Sequence, residues 1–137
     1  MAAAGLRGVH VALAGEDRDA LEFLAQGLKY YGALVTTHDS ARTVLRVMQL
    51  LLVNILVVDL GDVLNGGLKL IRSIRALPAR EGGRVPIVAL FGGPPDAEPR
   101  IVAEDVDSVL RKPVPAGEFA RVIAMVVAST PDSPRDL

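Results

Sequence analysis

Asn54-Ile55-Leu56-Val57-Val58-Asp59-Leu60 sets four consecutive apolar residues, three of them β-branched, directly before a carboxylate. Glycines follow at Gly61, Gly66 and Gly67. A short apolar run between turn signals reads as a strand buried on both faces, the kind found at the centre of a parallel sheet. Open α/β sheets bind ligands just beyond the carboxyl ends of their strands. Asp59 therefore stands where such a fold places its chemistry. An aspartate at a strand end can equally do no more than cap the turn that follows.

Strand and helix patterns alternate on both sides of this run. Upstream, Val9 to Ala14 reads as a first strand and Gly15-Glu16-Asp17-Arg18-Asp19 as its polar exit. Leu21, Leu24, Ala25 and Leu28 then form one helical stripe, with Phe23 at its margin, and Gly32 ends the helix. Ala33 to Thr37 is a second strand. Asp39 or Ser40 can cap a second helix that buries Ala41, Val44, Leu45 and Met48. Its end is blurred by Leu50-Leu51-Leu52-Val53, either a buried helix end or an exposed contact patch, with burial favoured. His10 and His38 read as a strand residue and a turn residue.

Downstream, the loop from Leu60 to Gly66 carries Asp62 and Asn65. A third helix follows, expected to turn Leu68, Ile71 and Ile74 inward and Arg72 and Arg75 to water; Pro78 stops it. Val85 to Phe91 is a fourth strand, with Pro86 near its start. Gly92-Gly93-Pro94-Pro95 breaks the chain, and Pro99 keeps any following helix short or displaced. Val106 to Leu110 is a fifth strand, and Phe119, Val122, Ile123 and Val126 stripe the last helix. Five strand–helix repeats with right-handed crossovers predict an α/β fold: a doubly wound five-stranded parallel sheet in a three-layer sandwich. The domain is expected over residues 9–128, with flexible termini at 1–8 and 129–137.

Composition narrows the chemistry. The 137 residues fit one domain that buries about two thirds of its extended surface. Fifteen basic residues against sixteen acidic ones give no reason to propose a general nucleic-acid or membrane surface. The absence of cysteine excludes disulfides, thiolate metal sites and cysteine nucleophiles, and two histidines do not make a conventional structural zinc site. The most apolar region, Val44 to Leu60, is too broken for a membrane span. A cytoplasmic location is expected. No P-loop, nucleophile elbow or Gly-x-Gly-x-x-Gly turn is present, so an enzyme is not expected.

Three polar residues recur at strand ends: Glu16 after the first, Asp59 after the third and Lys112 after the fifth. In the strand order 2-1-3-4-5 they converge on one pocket. Carboxylates suit a hard cation such as Mg²⁺, and a lysine suits a phosphoryl group as a mobile point charge. Such a set is fitted to phosphoryl transfer, which depends on positioning and charge neutralisation. Taken singly, Glu16 can be a helix cap and Lys112 a solvated loop residue.

In its order of pieces the chain resembles the receiver domains of bacterial response regulators, the CheY-like family with a flavodoxin-like sheet. The pieces are Val-Ala-Leu-Ala-Gly-Glu-Asp at the start, Leu-Val-Val-Asp-Leu at the centre, Pro-Ile-Val-Ala-Leu and Arg-Lys-Pro. The resemblance implies a phosphoprotein of two-component phosphorelay signalling, with Asp59 accepting a phosphoryl group from a partner's phosphohistidine. It implies Lys112 on the phosphate, and Mg²⁺ held by Glu16, Asp59 and the backbone carbonyl of Gly61. It also implies switch positions at Phe91 and Val109, and as partner a histidine kinase or another signalling protein, with a homodimer left open.

The departures are specific. Gly15 removes one carboxylate of the family's acidic pair, so Mg²⁺ is expected to bind weakly. Phe91 replaces a hydroxyl residue and is expected over the pocket mouth, and Val109 replaces an aromatic ring. The chain is thus read as an atypical receiver accepting phosphate on Asp59. The alternative is a degenerate receiver acting as a phosphorylation-independent interaction module.

Overall fold

A computed structural model describes residues 5–60 and 65–130. Among these residues five strands and five α-helices alternate: β1 (His10–Gly15), α1 (Arg18–Tyr30), β2 (Leu34–His38), α2 (Ala41–Leu50), β3 (Ile55–Asp59), α3 (Asn65–Arg75), β4 (Ile87–Phe91), α4 (Glu98–Val102), β5 (Ser108–Arg111) and α5 (Ala116–Ser129). All strand pairs are parallel, as the alternating pattern predicts, and the order is β2-β1-β3-β4-β5, the flavodoxin-like order that the resemblance implies. β3 and β4 are buried at every residue, which is why they read as unbroken apolar runs.

Strand alternation divides the core in two. Ala12, Leu56, Val58, Ala89 and Phe91 face the layer of α2, α3 and α4. Val11, Leu13, Val57, Val88 and Leu90 face α1 and α5. Side-chain caps start two helices: Asp17 accepts from the Ala20 amide and Ser40 from the Thr43 amide. The prolines leave α4 only five residues long, as expected.

Several expectations are corrected. Residues 5–8 are not a loose end, because Leu6 is fully buried and its amide donates to the Tyr31 carbonyl. Residues 1–4 and 131–137 lie outside the described residues. Phe23 is 76% exposed rather than packed at its stripe's margin. The helix α2 stops at Leu50, and Leu51 turns extended, so Leu50, Leu51 and Leu52 are exposed and only Val53 is buried. Arg75 does not face water. Its guanidinium donates to the carbonyls of Gly83, Val85 and Asp105 and reaches the Asp107 carboxylate, which itself caps the Ile87 amide. One turn earlier, Arg72 forms a two-pronged bond to Glu104, at 2.8 and 2.9 Å.

The two histidines are buried and joined through one hydroxyl. A carbonyl can only accept, so His10 Nδ1–H donates to the Leu52 carbonyl at 3.1 Å. In that tautomer Nε2 accepts the Thr36 hydroxyl, and Thr36 Oγ1 in turn accepts from His38 Nε2–H at 2.8 Å. Burial first, and then the neighbouring His10, holds the His38 pKa below the usual histidine value, with Asp39 opposing. A group that resists protonation when folded favours the unfolded chain as the solution acidifies. The contribution is complete above the unfolded value of about 6.5 and is lost as pH falls below it. Denaturation midpoints should therefore drop between pH 7.5 and 5.5, and His38→Gln should flatten that drop. Equal slopes in the two proteins would contradict it.

Candidate functional site

The carboxyl ends of β1, β3 and β5 carry Glu16, Asp59 and Lys112 to one mouth, because parallel strands all point their ends the same way. A cleft of about 650 Å³ opens there, lined by all three together with Asp17, Asp39, Lys69 and the first turn of α3. Asp59 lies at its floor with a side chain only 3% exposed. Lys112 Nζ donates to both carboxylate oxygens, at 3.0 and 3.1 Å. The lysine is carried by a backbone step that is itself fixed, since its amide donates to the Phe91 carbonyl. The Lys112–Pro113 peptide is cis.

Gly15 brings β1 close against this carboxylate. A Cβ at Gly15 would lie 3.1 Å from Asp59 Cβ, 3.1 Å from Leu21 Cδ2 and 3.2 Å from the Asp59 carbonyl. A side chain at this position therefore has little room. Gly67 is the other close approach, where a Cβ would run into Leu60 Cδ2. Glu16 lines the cleft from the rim, beside Gly66. Asp17 points its carboxylate at α1 instead.

For a divalent cation the carboxylates that line the cleft and would supply donors are Glu16 at the rim and Asp59 beneath Lys112. That set suits a Mg²⁺ that keeps several waters rather than a closed cage, since Mg²⁺ is commonly held through one or two carboxylates plus phosphate. Among the described residues no group of three or more acidic, histidine or cysteine side chains is placed to hold a metal. Gly61, the expected backbone ligand, and Asp62 lie outside the described residues.

The two switch positions end away from the mouth. Phe91 is fully buried among the side chains facing α2, α3 and α4, and it does not line the cleft. This overturns the expectation that its ring covers the pocket. Alternation explains it: Ile87, Ala89 and Phe91 share one face of β4. Gly93 packs on the ring edge, where a Cβ would come within 2.8 Å, and the Arg111 guanidinium lies 5.3 Å from the ring centroid. Val109 is half-buried against the same core. Lys69 and Asp39 also line the cleft, and spacing alone did not single them out as site residues.

No helix of the described residues is long and apolar enough to cross a membrane. No family model matches the chain, and no curated protein matches it. Solved structures do. The receiver domain of a Francisella response regulator superposes with a TM-score of 0.75 at 16% identity, covering 90% of this chain and 100% of that one. The receiver domain of a sensor histidine kinase from Pseudomonas aeruginosa, described with a magnesium ion coordinated in its active site cleft, gives 0.77 at 21% identity, over 89% and 99%. A sensor protein from Polaromonas gives 0.77 at 19%, over 88% and 97%. With its 2-1-3-4-5 parallel sheet between two helical layers, the chain has the fold of the CheY-like receiver domains of response regulators.

Proposed function

We propose that the chain is a receiver module of two-component signalling in which Asp59 accepts a phosphoryl group from a phosphohistidine on a partner kinase. The observation that carries this reading is the lysine ammonium held on both oxygens of a carboxylate at the floor of an open cleft. An Asp59 oxygen attacks phosphorus; the P–O bond forms as the P–N bond breaks, and its electron pair returns to the partner's imidazole. Lys112 can follow the charge, moving from carboxylate to phosphoryl oxygen while staying within the same mouth. A divalent cation held by Glu16 and Asp59 would neutralise further charge on the phosphoryl oxygens. Burial fixes the nucleophile in one orientation, so attack depends on the donor arriving in line.

A second reading, a phosphorylation-independent interaction module, is favoured by two observations. Phe91 offers no hydroxyl and is turned into the core, and Gly15 leaves the mouth one carboxylate short. One measurement separates them. Intact mass is recorded after treatment with a small phosphodonor and Mg²⁺. Native protein should gain a single acid-labile phosphoryl group slowly and substoichiometrically, and Asp59→Asn should gain none. No gain in the native protein would leave the interaction module as the reading, and an equal gain in both would move the acceptor elsewhere.

A further inference from the structure

We propose that a second copy of the chain pairs with the free edge of the sheet at β2, across a two-fold axis passing by Thr36. Among the described residues the strand is the outer one of the sheet and bonds only β1. The Leu34 amide donates inward to the Val9 carbonyl, so by alternation the backbone groups of Val35 and Thr37 point outward. Natural edges of this kind are usually blunted by charge, proline or a bulge. Leu34-Val35-Thr36-Thr37-His38 has no charged side chain other than a buried histidine with a depressed pKa, and no proline.

Two apolar features flank the edge on one face. Leu34 is 59% exposed and is the register partner of His10. The His10 ring holds the Leu52 carbonyl, which brings the exposed Leu50-Leu51-Leu52 corner to the same side. That corner is anchored as well as exposed. His10 and Asn54 also bond each other twice, His10 N–H to Asn54 Oδ1 and Asn54 N–H to the His10 carbonyl.

The occupant follows from self-complementarity. An antiparallel copy centred on Thr36 sets Val35 opposite Thr37 and Thr37 opposite Val35. Both pairs then exchange backbone hydrogen bonds, because both carry outward groups. Neutral side chains meet neutral side chains, so no like charges oppose across the axis. Leu34 falls opposite His38 of the partner copy, which covers an apolar side chain that the monomer leaves in water.

The test is sedimentation of the chain over a range of concentrations, with amide exchange followed at Val35 and Thr37. A monomer–dimer equilibrium is expected, with both amides slowing as the dimer fills. Leu34→Lys should weaken association at least tenfold, since it sets a charge beside the ladder. Thr37→Pro should do the same while sparing the monomer, because the amide it removes bonds nothing within the sheet. Circular dichroism identifies a variant that fails to fold, and the other variant then decides. A monomer at every concentration overturns the proposal. So does a dimer indifferent to both substitutions, which would lie on another face. Protection of the two amides that does not change with concentration overturns it too, because some other segment then covers the edge.

Discussion

Phe91→Ala should cost about 3–5 kcal/mol of folding stability, the usual range for emptying an aromatic side chain from a core. The ring is fully buried in the cluster that also holds Ile101 of the short α4, itself fully buried. At a urea dependence of about 2 kcal/mol per molar, the loss moves the unfolding midpoint down by about 2 M. Phe91→Leu keeps most of the volume and should lose less than half as much. Phe91→Ser should be no better than alanine, because its hydroxyl enters an apolar site with no partner provided for it. A loss under about 1 kcal/mol for the alanine variant would place the ring at the cleft rather than in the core.

Lys112→Met should be costly for a different reason. It leaves a carboxylate whose side chain is 3% exposed after taking away the ammonium that contacts both its oxygens. Breaking a buried pair from one side costs about 3–5 kcal/mol, and the partial exposure of Lys112, 28%, argues for the lower end. The converse change, Asp59→Asn, removes the buried charge and leaves a lysine that can turn to water, so it should cost less. In the double variant the losses should fall short of the sum by about 2 kcal/mol. Urea unfolding of the four proteins at pH 7.5 measures this. Additive losses, or a larger loss for Asp59→Asn than for Lys112→Met, would contradict the coupling.

Parts of this arrangement are legible in the residues alone. The run from Ile55 to Val58 announces a central strand, and the strand order then brings Asp59 and Lys112 together, fifty-three positions apart. The inward stripe of α3 is equally plain, since Leu68, Ile71 and Ile74 recur at helical spacing and are buried. The inward turn of Phe91 is legible too, by alternation with Ile87 and Ala89, whereas the resemblance implies a place over the pocket. Other features lie beyond local pattern. Nothing in helical periodicity distinguishes Arg75 from Arg72, and only Arg75 meets carbonyls supplied by Gly83, Val85 and Asp105. The exposure of Leu50, Leu51 and Leu52 depends on where α2 stops, and an apolar run hides that point. The crowding at Gly15 is a property of two neighbouring strands, not of either one.

The helix α3 is held at both ends. Its first turn, at Gly66 and Gly67, lines the cleft against Leu60, and its last turn is strapped by Arg72 and Arg75 to Glu104, Asp105 and Asp107. Eleven residues of helix make a rod of about 16 Å. A rod gripped at its tip and its heel has no slack in which to lose a displacement. Like a tiller, it would carry a tilt imposed at the cleft to the turn between α4 and β5, at the opposite ends of the strands. Such a link would run through backbone and guanidinium, without the ring at Phe91 or the methyls at Val109.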